Sequence, residues 1–225
     1  MRLRAALALA LLAGAASRGA ADAAATFLTL DVAGPEQPGL VDEARPRRLV
    51  MLEDGTVYVG GTRDVAIGHV EKAELREIEK RLEKIRKQQP GLAGSLSFGP
   101  GSVEHRLAVA KGKPLELTTT GDPTGAPQSL RQLATLISDL ASFQHPSLRP
   151  YRPSFYALRA RPGTLAGGCR PWTFPVSIAQ ALAAPQPLSS QSAGDWPTGA
   201  VAASACAGDK TYVVTLRPLL PGEKP

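Results

Sequence analysis

Two stretches of this chain carry apolar residues at spacings of three, four and three. Leu75, Ile78, Leu82 and Ile85 form the first series, and Leu130, Leu133, Ile137 and Leu140 the second. That spacing sets each series along one stripe of an α-helix, and each stripe needs an apolar surface to cover it. The first helix is expected over 71–88, with Glu71 and Glu74 at its start, Arg86 and Lys87 at its end, and Pro90-Gly91 stopping it. This charge order suits the helix dipole, and Glu77–Arg81 and Glu83–Lys87 are favourable pairs one turn apart. The second helix is expected over 127–143, with Pro127 at the first helical position and His145-Pro146 ending it.

Paired strands supply the surface these helices need. Residues 49–59 are apolar on both sides of Asp54-Gly55, a strong hairpin signal because a tight primed turn requires positive φ. A two-residue loop sets Leu52 opposite Val57 and Val50 opposite Val59. Val50, Leu52, Val57 and Val59 then share one face, and Leu49, Met51 and Tyr58 the other. Residues 64–67 suggest a further short strand. Residues 106–110 and 114–118 flank a Lys111-Gly112-Lys113 loop. The expected fold class is therefore α+β over 48–146: an antiparallel sheet built from hairpins, with two amphipathic helices packed on one face.

The flanks read differently. Residues 24–47 contain Gly34-Pro35 and Pro38-Gly39 and suggest an irregular lead-in, with Phe27-Leu28-Thr29-Leu30 as a short first strand. Residues 147–225 read as a loop-rich module that either completes the same domain or lies beside it. It has strands at 154–161 and 212–216, a Gly208-Asp209 turn, little order over 183–199, and a surface tail from Pro218.

The N-terminus reads as an address. Arg2 and Arg4 precede an apolar run over 5–16, and Ala21-Asp22-Ala23 forms a small-residue exit. This is the layout of a secretory signal peptide over 1–23, with cleavage expected after Ala23. The run is shorter than the roughly 20 residues that span a bilayer, so no transmembrane anchor is expected. Export, to the periplasm or the medium, makes Cys169 and Cys206, 37 residues apart, a disulfide pair. Closing such a loop contributes roughly 4 kcal/mol at most.

Composition narrows the function classes. The formal net charge is +6, and removing Arg2, Arg4, Arg18 and Asp22 with the leader takes it to +4. That mild excess does not call for nucleic acid. The hydrophobic fraction of 43% suits a globular chain. Asn is absent, and Ala, Gly, Pro and Arg, all with GC-rich codons, are abundant, which suits a bacterial source.

No catalytic motif stands out. His69, His105 and His145 lack metal-ligand spacing, and no metal or other cofactor is expected. Gly94-Ser95-Leu96-Ser97-Phe98-Gly99 lacks the glycines that flank the serine of a nucleophile elbow. Glu104 and His105 are neighbours on a strand and so point to opposite faces. The richest segment is Arg149, Tyr151, Arg152, Phe155, Tyr156, Arg159 and Arg161. Alternating cations and aromatics grip polyanions and stack on rings. The plainer alternative sends the aromatics to the core and leaves the arginines in solvent. The candidate binding residues are Arg149, Tyr151, Arg152, Arg159 and Arg161, and the candidate partners are an anionic envelope polymer or an acidic protein. Trp172 and Trp196, inside the disulfide loop, read as packing residues.

The stretch L-V-M-L-E-D-G-T-V-Y followed by K-A-E-L-R-E-I-E-K-R-L resembles a pattern in uncharacterised secreted bacterial proteins, where an Asp-Gly hairpin leads into an E-L-x-x-(I/L) helix. The ending Tyr212-Val213-Val214-Thr215-Leu216-Arg217-Pro218-Leu219-Leu220-Pro221 is similar to a C-terminal signature of such proteins. The resemblance implies export and carries no activity. The expected function is a non-catalytic envelope or extracellular binding or accessory protein. The alternative is a secreted hydrolase whose site is assembled from separated residues such as Glu104, His105 and Asp122.

Overall fold

The computed structural model describes residues 24–34 and 44–225. The expected leader, its cleavage site and most of the irregular lead-in lie outside the described residues. What is described is a mixed α and β structure with two sheets and a few helices.

The first sheet has eight strands: β1 (Thr26–Ala33), β2 (Leu49–Leu52), β3 (Thr56–Gly60), β4 (Val65–His69), β5 (Gly94–Ser97), β6 (Glu104–Val109), β7 (Leu115–Thr120) and β8 (Arg149–Pro150). Their order is β5-β7-β6-β1-β2-β3-β4-β8. The short first strand expected from the sequence is thus a central one, antiparallel to β2 on one side and β6 on the other. β5 runs parallel to β7, which hairpins alone do not produce.

Helix α1 (Lys72–Gln88) follows β4 and helix α2 (Arg131–Ala141) follows β7, each within the span that the spacing predicts. Glu71 caps α1 through a reciprocal box in which the Glu74 carboxylate accepts from the Glu71 N–H at 2.8 Å. The second helix is shorter than expected, because Gln128–Leu130 form a 3-10 turn after Pro127. Leu75, Leu82, Ile85, Leu133, Leu136, Ile137 and Leu140 are buried in one cluster with Leu28, Leu30, Leu49, Met51, Val57, Leu107 and Leu117.

The hairpin around Asp54-Gly55 departs from the expected register by one residue. Met51 faces Val57, Val50 faces Tyr58 and Leu49 faces Val59. The reason lies in the turn. Gly55 N–H donates to Leu52 O at 3.1 Å, and Thr56 N–H donates to Asp54 Oδ1 at 2.8 Å. Gly55, at φ 96°, is a third loop residue after that turn. One added residue reverses every side chain. Leu49, Met51, Val57 and Val59 therefore enter the main cluster. Val50 and Tyr58 face the other way, where Leu52, Ile67, Tyr151 and Leu220 join them and Val65. The hairpin at Gly112 keeps its expected register, with Val109 opposite Leu115.

Residues past 147 are more ordered than the sequence suggests. They form a second, five-stranded sheet from β9 (Phe155–Pro162), β10 (Arg170–Pro171), β11 (Gln186–Ser189), β12 (Gly199–Ala207) and β13 (Lys210–Pro218), in the order β10-β12-β13-β9-β11. β12 is rich in Ala and escapes a search for Val, Ile and aromatic runs. It pairs with β13 across the Gly208-Asp209 turn. Cys169 and Cys206 form a disulfide with Cα atoms 5.5 Å apart, tying the start of β10 to β12. The tail is no loose extension: Leu219 is buried, and Leu220 packs with Val50, Tyr58 and Val65.

Arg48 bridges three elements. Its Nε donates to Ala141 O at 2.5 Å, Nη1 to Gly60 O at 3.0 Å and Nη2 to Phe143 O at 3.4 Å. It thus satisfies carbonyls at and just past the end of α2, where a cation is also favoured by the helix dipole.

Two outcomes follow from these contacts. Arg48→Lys retains the charge but cannot reach three divergent carbonyls, and it should lower stability by about 2 kcal/mol in urea unfolding. A midpoint equal to that of the parent would remove Arg48 as a bridge. Gly55→Asn should destabilise about as much as Gly55→Ala, by about 2 kcal/mol, although Asn tolerates left-handed backbone. The reason is that any Cβ at Gly55 collides with the Val70 carbonyl and crowds the His69 ring.

Candidate functional site

The segment singled out from the sequence is split between the two sheets. Arg149 lies on β8, paired with Ile67 of β4, and is exposed. Tyr151 turns inward. Its ring meets Tyr58 edge-on at 5.4 Å and its hydroxyl donates to Leu219 O at 3.1 Å. Burial raises its pKa, with the Tyr58 and Glu223 charges adding to the effect. Tyr151 is thus a packing residue between the first sheet and the tail.

Most of the rest of the segment faces solvent. Arg152 is exposed, and Arg159 and Arg161 are exposed on β9. Alternation along β9 sends Tyr156, Leu158 and Ala160 into the core of the second sheet. Phe155, Arg159 and Arg161 point the opposite way. Phe155 remains 51% exposed, a large aromatic side chain left in water.

Aromatic packing in the second sheet surrounds the disulfide region. Phe174 is buried between Trp172, at 5.0 Å, and Trp196, at 4.7 Å. Trp172 Nε1 donates to Val176 O at 2.9 Å, and the Arg170 guanidinium lies 5.7 Å from the Trp196 ring centre. Both tryptophans pack against the core of that sheet.

The ionisable residues considered for hydrolysis do not form a common centre. Glu104 sits on the outward side of β6, paired with Arg106. His105 points inward and is 95% buried by its 5% exposure. The Asp122 carboxylate accepts from Thr124 N–H at 2.9 Å, which lowers its pKa and commits it to a turn. A serine–histidine–glutamate contact does occur elsewhere. Ser147 Oγ is 2.7 Å from His145 Nδ1, and His145 Nε2 is 3.5 Å from Glu74 Oε1. Yet the same hydroxyl accepts from His69 N–H and donates to His69 O, both at 2.8 Å. It serves as a splice on the backbone of β4. Among the described residues, no three His, Cys, Asp or Glu side chains converge as metal ligands, and no helix is long and apolar enough to cross a membrane.

A cleft of about 310 Å³ opens between the last turns of α1 and the tip of the β6–β7 hairpin. Its base is apolar, made by Phe27, Leu82 and Val109. Its rim carries Glu79, Glu83, Arg86, Lys87, Lys111 and Lys113. Lys111 Nζ is 3.4 Å from Glu79 Oε2 and 5.8 Å from the Phe27 ring centre. Arg86 donates to the Lys113 carbonyl. In the sequence, Arg86 and Lys87 read as helix-end residues, and Lys111-Gly112-Lys113 as a turn. Only the tertiary structure brings them to one place.

Comparison with known proteins finds no matching family model, no matching curated protein and no matching solved structure.

One buried polar pair remains. His105 and Thr119 lie opposite each other on β6 and β7, and His105 Nδ1 and Thr119 Oγ1 are both buried without a hydrogen-bond partner. Burial holds the imidazole below its ordinary pKa of 6.5. The unfolded chain therefore takes up a proton before the folded one, and stability present above about pH 6.5 is lost as the pH falls below it. His105→Leu should flatten the fall in melting temperature between about pH 7.5 and 5.5. An equally steep fall in the variant would assign that pH dependence elsewhere.

Proposed function

We propose that this chain is an exported, non-catalytic binding protein that holds an anionic polymer of the bacterial envelope. The observation that carries the reading is Phe155, half exposed on the outward side of β9 with Arg159 and Arg161 on the same side and exposed Arg152 just before it. Alternate residues of a strand are about 6.6 Å apart, so Arg159 and Arg161 offer cations at a short, regular interval. An extended polyanion meets such a row along its length, while the exposed ring supplies an apolar contact beside it. Arg149, on β8 of the other sheet, is exposed as well.

The compartment is argued separately. The Arg-first, Ala/Leu-rich leader and the A-x-A exit support export with cleavage near Ala23. The Cys169–Cys206 disulfide suits an oxidising location outside the cytoplasm. The resemblance of residues 48–85 to secreted bacterial proteins points the same way. The frame we infer is two amphipathic helices laid on one face of the eight-stranded sheet, a reading supported by the cluster their residues share with β1, β2, β6 and β7.

Binding of the oxidised protein without its leader to an anionic envelope polysaccharide should weaken as salt is raised. Arg152→Ala combined with Arg159→Ala should reduce it about tenfold or more, with the melting temperature unchanged because both side chains are exposed. Salt-insensitive binding, or full binding by the double variant, would overturn the reading. Selective capture of an acidic protein instead of the polymer would overturn the choice of partner.

A further inference from the structure

We propose that Cys169 is a thiol-exchange site, and that its disulfide to Cys206 is a reducible latch on a strap, residues 163–169, closed over the outward face of the second sheet. The placement follows from alternation along β12 and β13. Ala205, Tyr212 and Val214 lie in the core of that sheet, so Ser204, Cys206 and Val213 point the other way. The strap meets all three. Leu165 N–H donates to Ser204 Oγ at 2.7 Å, Cys169 is bonded to Cys206, and a Cβ at Gly163 would lie 3.4 Å from Val213 Cγ2. Ser204 is left only 4% exposed. Arg161 stands opposite Val213 on β9, so the strap borders the row of Arg159 and Arg161.

The latch holds a part of the chain that the core does not. No residue of 163–171 belongs to the core cluster of the second sheet, and β10, which the bond keeps beside β12, has two residues. Gly163 N–H donates to Thr211 O at 3.2 Å and Trp172 N–H to Cys206 O at 3.0 Å, so both ends of the released stretch keep an anchor. Gly167 and Gly168, at φ 106° and 84°, bend the chain just before Cys169, and nothing lies within 4 Å of a Cβ at either. Cys169 is exposed and Cys206 half-buried. Exchange depends on access to the sulfur attacked, which selects Cys169 Sγ. A thiolate of a dithiol reductant bonds to Cys169 Sγ. The Cys169–Cys206 bond breaks, and its electron pair leaves on Cys206 Sγ, which takes up a proton. The second thiol of the reductant then displaces Cys169, also protonated. The reductant ends as a disulfide, and two electrons and two protons pass to the protein. The freed strap uncovers Ser204 and Val213 beside the basic row. That this widens a polymer-binding surface rests on the binding reading; the latch does not.

The test follows reduction of the folded, oxidised protein, with no polymer present, so its failure is distinct from failure of the binding reading. The rate should rise in proportion to dithiothreitol concentration, because the reductant reaches the bond in the native state. A rate that levels off would show that the chain must first unfold, and would overturn the latch. With glutathione followed by rapid alkylation, peptide mapping should place glutathione on Cys169 and the alkyl group on Cys206. The reverse pattern would overturn Cys169 as the site. The reduced protein should still melt cooperatively, within about 15 °C of the oxidised one. Its amide exchange should quicken about tenfold or more over 164–171, while β9 and β13 keep their protection. Cys169→Ser with Cys206→Ser should show the same exchange pattern without reductant. Unfolding on reduction, or exchange over 164–171 unchanged in both the reduced protein and the double variant, would overturn the strap.

Discussion

Thr26–Ala33 is hydrogen-bonded on both edges, and the architecture of the first sheet depends on that. Each hairpin on its own has two open edges. A two-stranded unit of that kind is marginal in water. With β1 inserted, β2 and β6 each lose an edge and the sheet becomes continuous from β5 to β8. Leu28 and Leu30, both fully buried, then sit at the centre of the cluster that takes in both helices. The strand also sets the polarity of the other face. Asp31 points there, opposite Arg106 and 4.0 Å from Arg47. Burial raises its pKa, and the surrounding cations Arg47, Arg106 and Arg217 limit the rise.

That second face is where the two sheets meet the end of the chain. Tyr151 and Leu220 cover Val50, Tyr58 and Val65. Glu223 pairs with Arg217 and accepts from Leu220 N–H at 3.0 Å, which folds the tail back on itself. The loop before β4 contributes as well: Ala200 N–H donates to Thr62 O at 2.7 Å, joining the start of β12 to the first sheet. The surface proposed for binding lies outside these joints. The row on β9 faces away from the core of its sheet, and the cleft sits at the far end of α1.

Some of this was legible in the residues. The stripes Leu75–Ile85 and Leu130–Leu140 define helices because a helix buries residues three and four apart whatever it packs on. The turn at Gly112 gave the right register because its loop has a symmetric centre. The turn at Asp54-Gly55 did not. The dipeptide suits two loop lengths, and the difference of one residue decides whether Met51 or Val50 enters the main cluster. β12 is hidden in the sequence for a related reason. Its run of Ala and Ser has no apolar alternation, and it is a strand because β13 and the disulfide hold it there.

The sequence by itself therefore determined the local periodicities, the positions of the turns and the pairing of two cysteines, all of which depend on residues near in the chain or on a pair with no competitor. Tertiary structure alone decided the central place of β1, the three-carbonyl bridge of Arg48, the inward turn of Tyr151 and the gathering of Arg86, Lys87, Lys111 and Lys113 around one cleft. Each of these joins residues distant in sequence through shape and hydrogen-bond direction. No local pattern encodes such contacts, because they exist only once the sheet has closed its register.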